Sequence, residues 1–191
     1  MRTQFGIRQL LRRHPIVPVV DVEDATAIVP IIEWLKLNGI QCIEITLRTE
    51  QAMATISKAL EVAPYNFDVG VGTIVNAEQV QQCTQLGVDF MVSPGLTPTL
   101  GHAFEKARLP FLPGVMTASE VIAAQEMGYD TLKLYPFNIA GGLLALRHYR
   151  RVFPNIQFCP TGGINADNYQ QISEEANVIC VGGSWVLKVK K

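Results

Sequence analysis

The stretch TASEVIAAQEMGYDTLKLYPF, residues 117–137, contains a complete structural unit together with its boundaries. Thr117 and Glu120 stand at capping-box spacing, so a helix is expected to begin there. Gly128 supplies its C-terminal stop. The run that follows, Thr131–Phe137, is short, apolar and rich in β-favouring residues, which reads as a strand. Helix, glycine, buried strand is thus the local grammar.

The same grammar extends in both directions. Apolar runs recur at Ile16–Val22, Cys42–Leu47, Phe67–Thr73, Phe90–Gly95, Phe111–Val115, Ile156–Ile164 and Val178–Trp185. Most show little alternation, as expected of strands buried on both faces of a parallel sheet. Between them lie segments with helix-end signals. Asn76 and Gln79 open one that stops near Gly87, and Thr97-Pro98 opens another. Asp24 is expected to cap a helix running to Gly39, with Pro30 awkward unless it falls in the first turns or kinks the helix. Strand, helix, strand in repetition forces parallel pairing with right-handed crossovers. Eight such strands close most naturally into a (β/α)8 TIM barrel. A doubly wound open sheet would carry G-x-G-x-x-G after its first strand. Here that strand runs into Val-Val-Asp-Val-Glu-Asp (19–24), without glycine.

The chain has 191 residues, of which 48% are hydrophobic and 17% charged, with a formal net charge of −1. This suits one α/β domain over residues 1–191 and excludes a disordered chain. Acidic and basic residues are mixed, apart from the short tail Lys188, Lys190, Lys191, so no nucleic-acid partner is expected. No apolar run reaches the length of a membrane span, and no membrane association is expected. The basic start, Met1–Pro15, interleaves Phe5, Ile7, Leu10 and Leu11 with arginines and reads as an amphipathic N-terminal helix. Only six residues follow Trp185, so the barrel is expected to lack a full final helix. Cys42, Cys83, Cys159 and Cys180 are scattered without a C-x-x-C pair, which fits reduced, buried thiols in a cytoplasmic protein. His14, His102 and His148 lie far from one another and from the cysteines in sequence, so no metal site is expected.

Active groups of parallel barrels sit at the C-terminal ends of the strands. Of the seven lysines, Lys133 alone falls inside an expected strand core. Leu132 and Leu134 flank it, so alternation points Lys133 to the barrel interior. A lysine without water favours its neutral form, and a neutral amine attacks carbonyls to form a Schiff base. Cys-Ile-Glu-Ile-Thr-Leu-Arg (42–48) puts Glu44, Thr46 and Arg48 on one face. Glu44 is suited to moving protons and Arg48 to clamping a carboxylate. The competing reading makes Lys133 and Glu44 a structural ion pair, which leaves Arg48 unexplained. Thr161-Gly162-Gly163 and Gly182-Gly183-Ser184 end the last two strands, where barrels commonly bind phosphate. Thr73 and Ser93-Pro94-Gly95 end the third and fourth, as site groups or as plain turns.

Taken together, these strand ends resemble the 2-keto-3-deoxy-6-phosphogluconate (KDPG) aldolases, which often also act as 4-hydroxy-2-oxoglutarate (KHG) aldolases. The likeness rests on Glu-Ile-Thr-Leu-Arg-Thr-Glu (44–50), Gly-x-Gly-Thr (70–73), Ser-Pro-Gly-Leu (93–96), Lys-x-x-Pro (133–136), Phe-Cys-Pro-Thr-Gly-Gly-Ile (158–164) and Gly-Gly-Ser-Trp (182–185). The resemblance implies a homotrimeric class I aldolase of the Entner–Doudoroff pathway, without metal or cofactor. It also implies the roles. Lys133 forms the imine, Glu44 is the general acid/base, and Arg48, Thr73 and Pro94 bind the pyruvate-derived carboxylate. Tyr135 packs on the imine, and Thr161, Gly162, Gly163 and Ser184 hold the far hydroxyls and phosphate of a phosphorylated keto-acid substrate.

Three departures stand out. Tyr135 replaces a common phenylalanine, Val71 replaces a common alanine, and the family's C-terminal helix is expected to be missing. Three competing functions separate on sequence features. A galactonate-epimer aldolase typically lacks Thr161 and Leu-Arg-Thr-Glu. A phosphate-binding isomerase or synthase does not need Lys133. A non-catalytic phosphate-binding barrel is suggested by the short C-terminus alone.

Overall fold

The computed structural model describes residues 6–190, with side chains through Leu187. It opens with a helix, α1 (Ile7–Arg13), as expected for this part of the amphipathic start; Met1–Phe5 lie outside the described residues. The strands then follow as β1 (Ile16–Val20), β2 (Cys42–Thr46), β3 (Asp68–Gly72), β4 (Phe90–Val92), β5 (Phe111–Leu112), β6 (Gly114–Val115), β7 (Thr131–Leu134), β8 (Gln157–Pro160) and β9 (Val181–Gly183). Helices separate all of them but β5 and β6: α2 (Ile28–Leu37), α3 (Ala52–Val62), α4 (Ala77–Leu86), α5 (Pro98–Ala107), α6 (Ala118–Glu126), α7 (Gly142–Val152) and α8 (Tyr169–Ser173). After β9 the backbone turns through a 3-10 helix, Trp185–Lys190.

The observed architecture is a curled parallel α/β sheet. Six strands hydrogen-bond in the order β5-β4-β3-β2-β1-β9, and three more in the order β6-β7-β8. Parallel bridges at Phe158↔Val178 and Thr161↔Gly182 tie β8 to the chain around β9. The run Phe111–Val115, expected as one strand, is split in two by Pro113, which has no N–H to give to a ladder. The Pro113 carbonyl still accepts from the Lys133 N–H at 2.8 Å.

The helix-end signals act largely as read. Thr117 and Glu120 form the full capping box of α6, and Asn76 and Thr97 cap α4 and α5 through their side chains. Asp24 differs from its expected role. It caps a 3-10 turn, Ala25–Ala27, that leads into α2, and Pro30 falls in the first turn of α2, where its missing N–H costs nothing.

Strand alternation divides the core in two. Ile43, Ile45, Val69, Val71 and Met91 face the helices and join one large cluster with Ile32, Ile56 and Leu132. Cys42, Phe90, Val92, Leu112 and Cys159 face the other way and meet Ile7, Leu10 and Leu11 of α1. The first helix therefore plugs the inner face of the sheet. Polar bonds at both ends seat it. The Arg8 guanidinium donates to Thr131 Oγ1 at 2.9 Å and to the Asp130 carbonyl at 2.6 Å, at the start of β7. His14 Nε2 meets Asp68 Oδ2 at 2.5 Å and Arg13 donates to the same oxygen at 2.9 Å, at the start of β3. Burial alone would push the Asp68 carboxyl up. Hydrogen bonds and charge from His14 and Arg13 outweigh it and hold that group below its ordinary value.

All four cysteines are free and buried, as expected. Burial pushes the Cys83 thiol up to about 11, and burial together with neighbouring acidic groups pushes Cys42 up as well. Among the described residues no helix is long and apolar enough to cross a membrane.

Candidate active site

Lys133 lies inside β7 with only 5% of its surface exposed, and Glu44 inside β2 with 3%. Their strands belong to different sheets, yet Lys133 Nζ donates to Glu44 Oε1 at 3.0 Å. The two side chains thus meet across the interior, as the alternation of each strand had required. Leu132 and Leu134 point to the helices and are fully buried there.

Room for this pair comes from a glycine. A Cβ on Gly72, at the end of β3, would stand 2.0 Å from Glu44 Oε1. The strand end at Thr73 had read either as a site group or as a plain turn; Gly72, just before it, is a place where a carboxylate passes close to the backbone. Thr73, next in sequence, adopts a left-handed backbone with φ 63°, uncommon for a β-branched residue. Strain of this kind is retained where surrounding structure imposes it, and it is concentrated at functional sites.

Arg48 lies beyond the end of β2, whose last residue is Thr46. Its Nη1 reaches Asp21 Oδ2 at 3.4 Å, and the Thr46 hydroxyl donates to the other oxygen of that carboxylate. Asp21, the carboxylate that Arg48 meets in the structure, was not among the residues expected at the site. A signal was there: Asp21 is the first polar residue after the apolar run of β1.

Tyr135 follows β7, and its ring centroid lies 5.4 Å from Lys133 Nζ, within reach of a cation–π contact. The next strand end approaches from β8. Thr161 is buried, its N–H donates to the Leu134 carbonyl at 3.0 Å, and it bridges to Gly182. The two glycine pairs, read alike from sequence, differ. Gly162 and Gly163 hold left-handed backbones, φ 102° and 76°, that turn the chain over the strand end. Gly182 and Gly183 lie in β9 and leave space for Thr161 Oγ1 and the Trp185 ring. Ser184 is exposed directly after them. Pro94 is half-buried beyond β4, against Gly114 of β6.

All the expected site residues except Lys133 and Glu44 therefore stand at or beyond the C-terminal ends of β2, β3, β4, β7, β8 and β9, and the pair lies below them. A buried ion pair is a poor way to gain stability, because desolvation of two charges offsets most of their attraction. An amine and a carboxylate in hydrogen-bond contact under a ring of polar strand ends can attack a carbonyl and shuttle the protons released.

Comparison with known proteins gives one answer. The chain matches the family model described as "KDPG and KHG aldolase" over residues 7–191. It is 38% identical to 2-dehydro-3-deoxy-phosphogluconate aldolase of Zymomonas mobilis, over 97% of this chain and 88% of that one. To the KHG/KDPG aldolase of Escherichia coli K12 it is 36% identical, over 93% and 83% of the two chains. Among solved structures it superposes on the KDPG aldolase of Legionella pneumophila, with pyruvate captured as a covalent carbinolamine intermediate. That match has a TM-score of 0.91 at 34% identity and covers 97% of this chain and 88% of the other. Identity of this level over nearly the whole length, on the same architecture, is decisive: the chain belongs to the KDPG and KHG aldolase family.

Proposed function

We propose that this chain is a single-domain class I aldolase that cleaves 2-keto-3-deoxy-6-phosphogluconate to pyruvate and glyceraldehyde 3-phosphate. On this reading it also acts on 4-hydroxy-2-oxoglutarate, giving pyruvate and glyoxylate. The observation that carries it is the buried 3.0 Å contact between Lys133 Nζ and Glu44 Oε1. Lys133 attacks C2 of the keto acid. Glu44 passes the protons that turn the carbinolamine into an iminium and release water. The iminium then draws the electrons of the C3–C4 bond as the C4 hydroxyl loses its proton, and the aldehyde departs. Protonation of the enamine at C3 and hydrolysis of the imine free pyruvate and the lysine.

Position at the strand ends supports the remaining roles. Arg48, with Thr73 and Pro94, holds the C1 carboxylate next to the imine. The ring of Tyr135 covers the iminium. Thr161, Gly162, Gly163 and Ser184 take the distal hydroxyls and the phosphate. No metal and no organic cofactor enter this scheme.

In this reading the two sheets are one (β/α)8 barrel. Its seams are the split strand at Pro113 and the two bridges from β8 to the chain around β9. The Lys133–Glu44 bond between strands of different sheets supports that closure. The protein works as a homotrimer in the cytoplasm; four free, buried cysteines are in keeping with that compartment.

The test is the release of pyruvate from the gluconate-derived substrate, from its galactonate epimer and from 4-hydroxy-2-oxoglutarate, followed with lactate dehydrogenase. Fastest turnover of the gluconate compound is expected. A marked preference for the galactonate epimer would overturn the substrate, and no cleavage of any of the three would overturn the activity.

A further inference from the structure

Asp21 stands one residue past β1, beside the strand that carries Glu44, with Val20 paired to Ile45. Its two carboxylate oxygens do different things. Oδ1 accepts from the hydroxyl of Thr46, a side chain only 1% exposed, and Oδ2 meets Arg48 Nη1 at 3.4 Å at the rim. Asp21 and Arg48 are each about half exposed, 49% and 45%. An exposed ion pair between two free side chains holds little geometry. This one is different, because one end of the carboxylate is fixed to a buried hydroxyl. The bridge ties the interior face of β2, one layer above Glu44, to a guanidinium that lies outside the strand and has no strand ladder to fix it.

A guanidinium has five N–H donors, and the contact with Asp21 involves Nη1. Donors remain for a fork–fork contact with a second carboxylate. We infer that Asp21 is a positioning residue: anchored by Thr46, it aims Arg48 at the carboxylate of the incoming 2-keto acid. This rests on the role of Arg48 given under Proposed function. Asp21 touches no reacting atom, so its effect falls on substrate capture and leaves the chemical step alone.

The experiment is a steady-state comparison of wild type, Asp21→Ala, Thr46→Val, the double variant, and Arg48→Ala with and without Asp21→Ala. Asp21→Ala is expected to raise KM about two- to fivefold, the range of an exposed but oriented ion pair, with kcat nearly unchanged. Thr46→Val should act in the same direction, and the double variant should be no worse than Asp21→Ala alone. In the Arg48→Ala background, Asp21→Ala should change nothing further. Additive effects in that background, or a KM for Asp21→Ala that is unchanged or lowered, would overturn the inference. A lowered KM would mean that the carboxylate repels the substrate instead of aiming its receptor. If Arg48→Ala itself leaves KM intact, the assigned role of Arg48 fails and takes this inference with it, a different result from the one in which only Asp21 is silent.

Discussion

At the N-terminal ends of the strands, Asp68 gathers His14 and Arg13, and Arg8 binds Thr131 and the Asp130 carbonyl, all to hold α1 in place. Toward the other end, Lys133 and Glu44 face each other across a site lined by glycines and strand ends. The floor leaves its arginines partly exposed and shares its charges among several partners. The mouth buries a charged pair that apolar side chains of similar size would replace at little loss of stability. The difference teaches where each charge belongs. On the proposed function, floor charges are part of the scaffold and the mouth pair belongs to the reaction, so substitutions at the two ends should separate stability from turnover.

The largest effect is expected at Lys133. Lys133→Ala should remove aldol cleavage altogether, read as pyruvate release, because among the described side chains no other lysine stands in the site to form the imine. It should also cost about 3 kcal/mol or more of stability in urea unfolding, since Glu44 is left buried without its partner. Residual cleavage in a folded Lys133→Ala protein would break the comparison at its mouth.

The floor gives the next effect. Leu11 is fully buried against the inner face of the sheet. Leu11→Ala should cost about 2–5 kcal/mol by urea unfolding, with kcat of the folded enzyme close to wild type. Loss of turnover in proportion to stability would show that α1 does more than plug the floor.

The smallest effect carries a pH signature. The Asp68 carboxyl is held below its ordinary value, so its ionised form stabilises the fold above that value. The stabilisation disappears as the pH falls through the lowered folded value. Asp68→Asn should therefore cost about 1–2 kcal/mol at neutral pH. The gap from wild type should shrink in stability curves taken below about pH 4. Asp89 should behave with the opposite sign. Burial raises its carboxyl, aided by the charge of Asp68 and opposed by the Val69 N–H bond, so acidification relieves a cost there. A wild-type curve parallel to that of Asp68→Asn through the acid range would remove Asp68 from the scaffold's account.

Much of this comparison was legible in the residues. Lys133 between two leucines, and Glu44 between two isoleucines, name the interior faces of their strands by alternation alone. Side-chain caps place the starts of α4, α5 and α6 closely, and glycines place the ends of α4 and α6, because those signals are local. What escaped was set by contacts distant in sequence. Asp68 reads as an ordinary strand-start residue until α1 brings His14 to it across 54 residues. Gly72 carries no local sign that Glu44 comes past it. Asp21 reads as a loop acid until the pairing of β1 with β2 sets it beside Thr46. Pro113 broke a run that composition alone joined, since the pattern counts apolar side chains and not the N–H groups a ladder needs.

The central claim is that Lys133 is the amine that becomes covalent with the substrate. Incubation with pyruvate and sodium borohydride, followed by peptide mass spectrometry, reads this directly. The account predicts a carboxyethyl group on Lys133, absent when pyruvate or borohydride is omitted. Full recovery of unmodified Lys133, or modification of another lysine in its place, would contradict it.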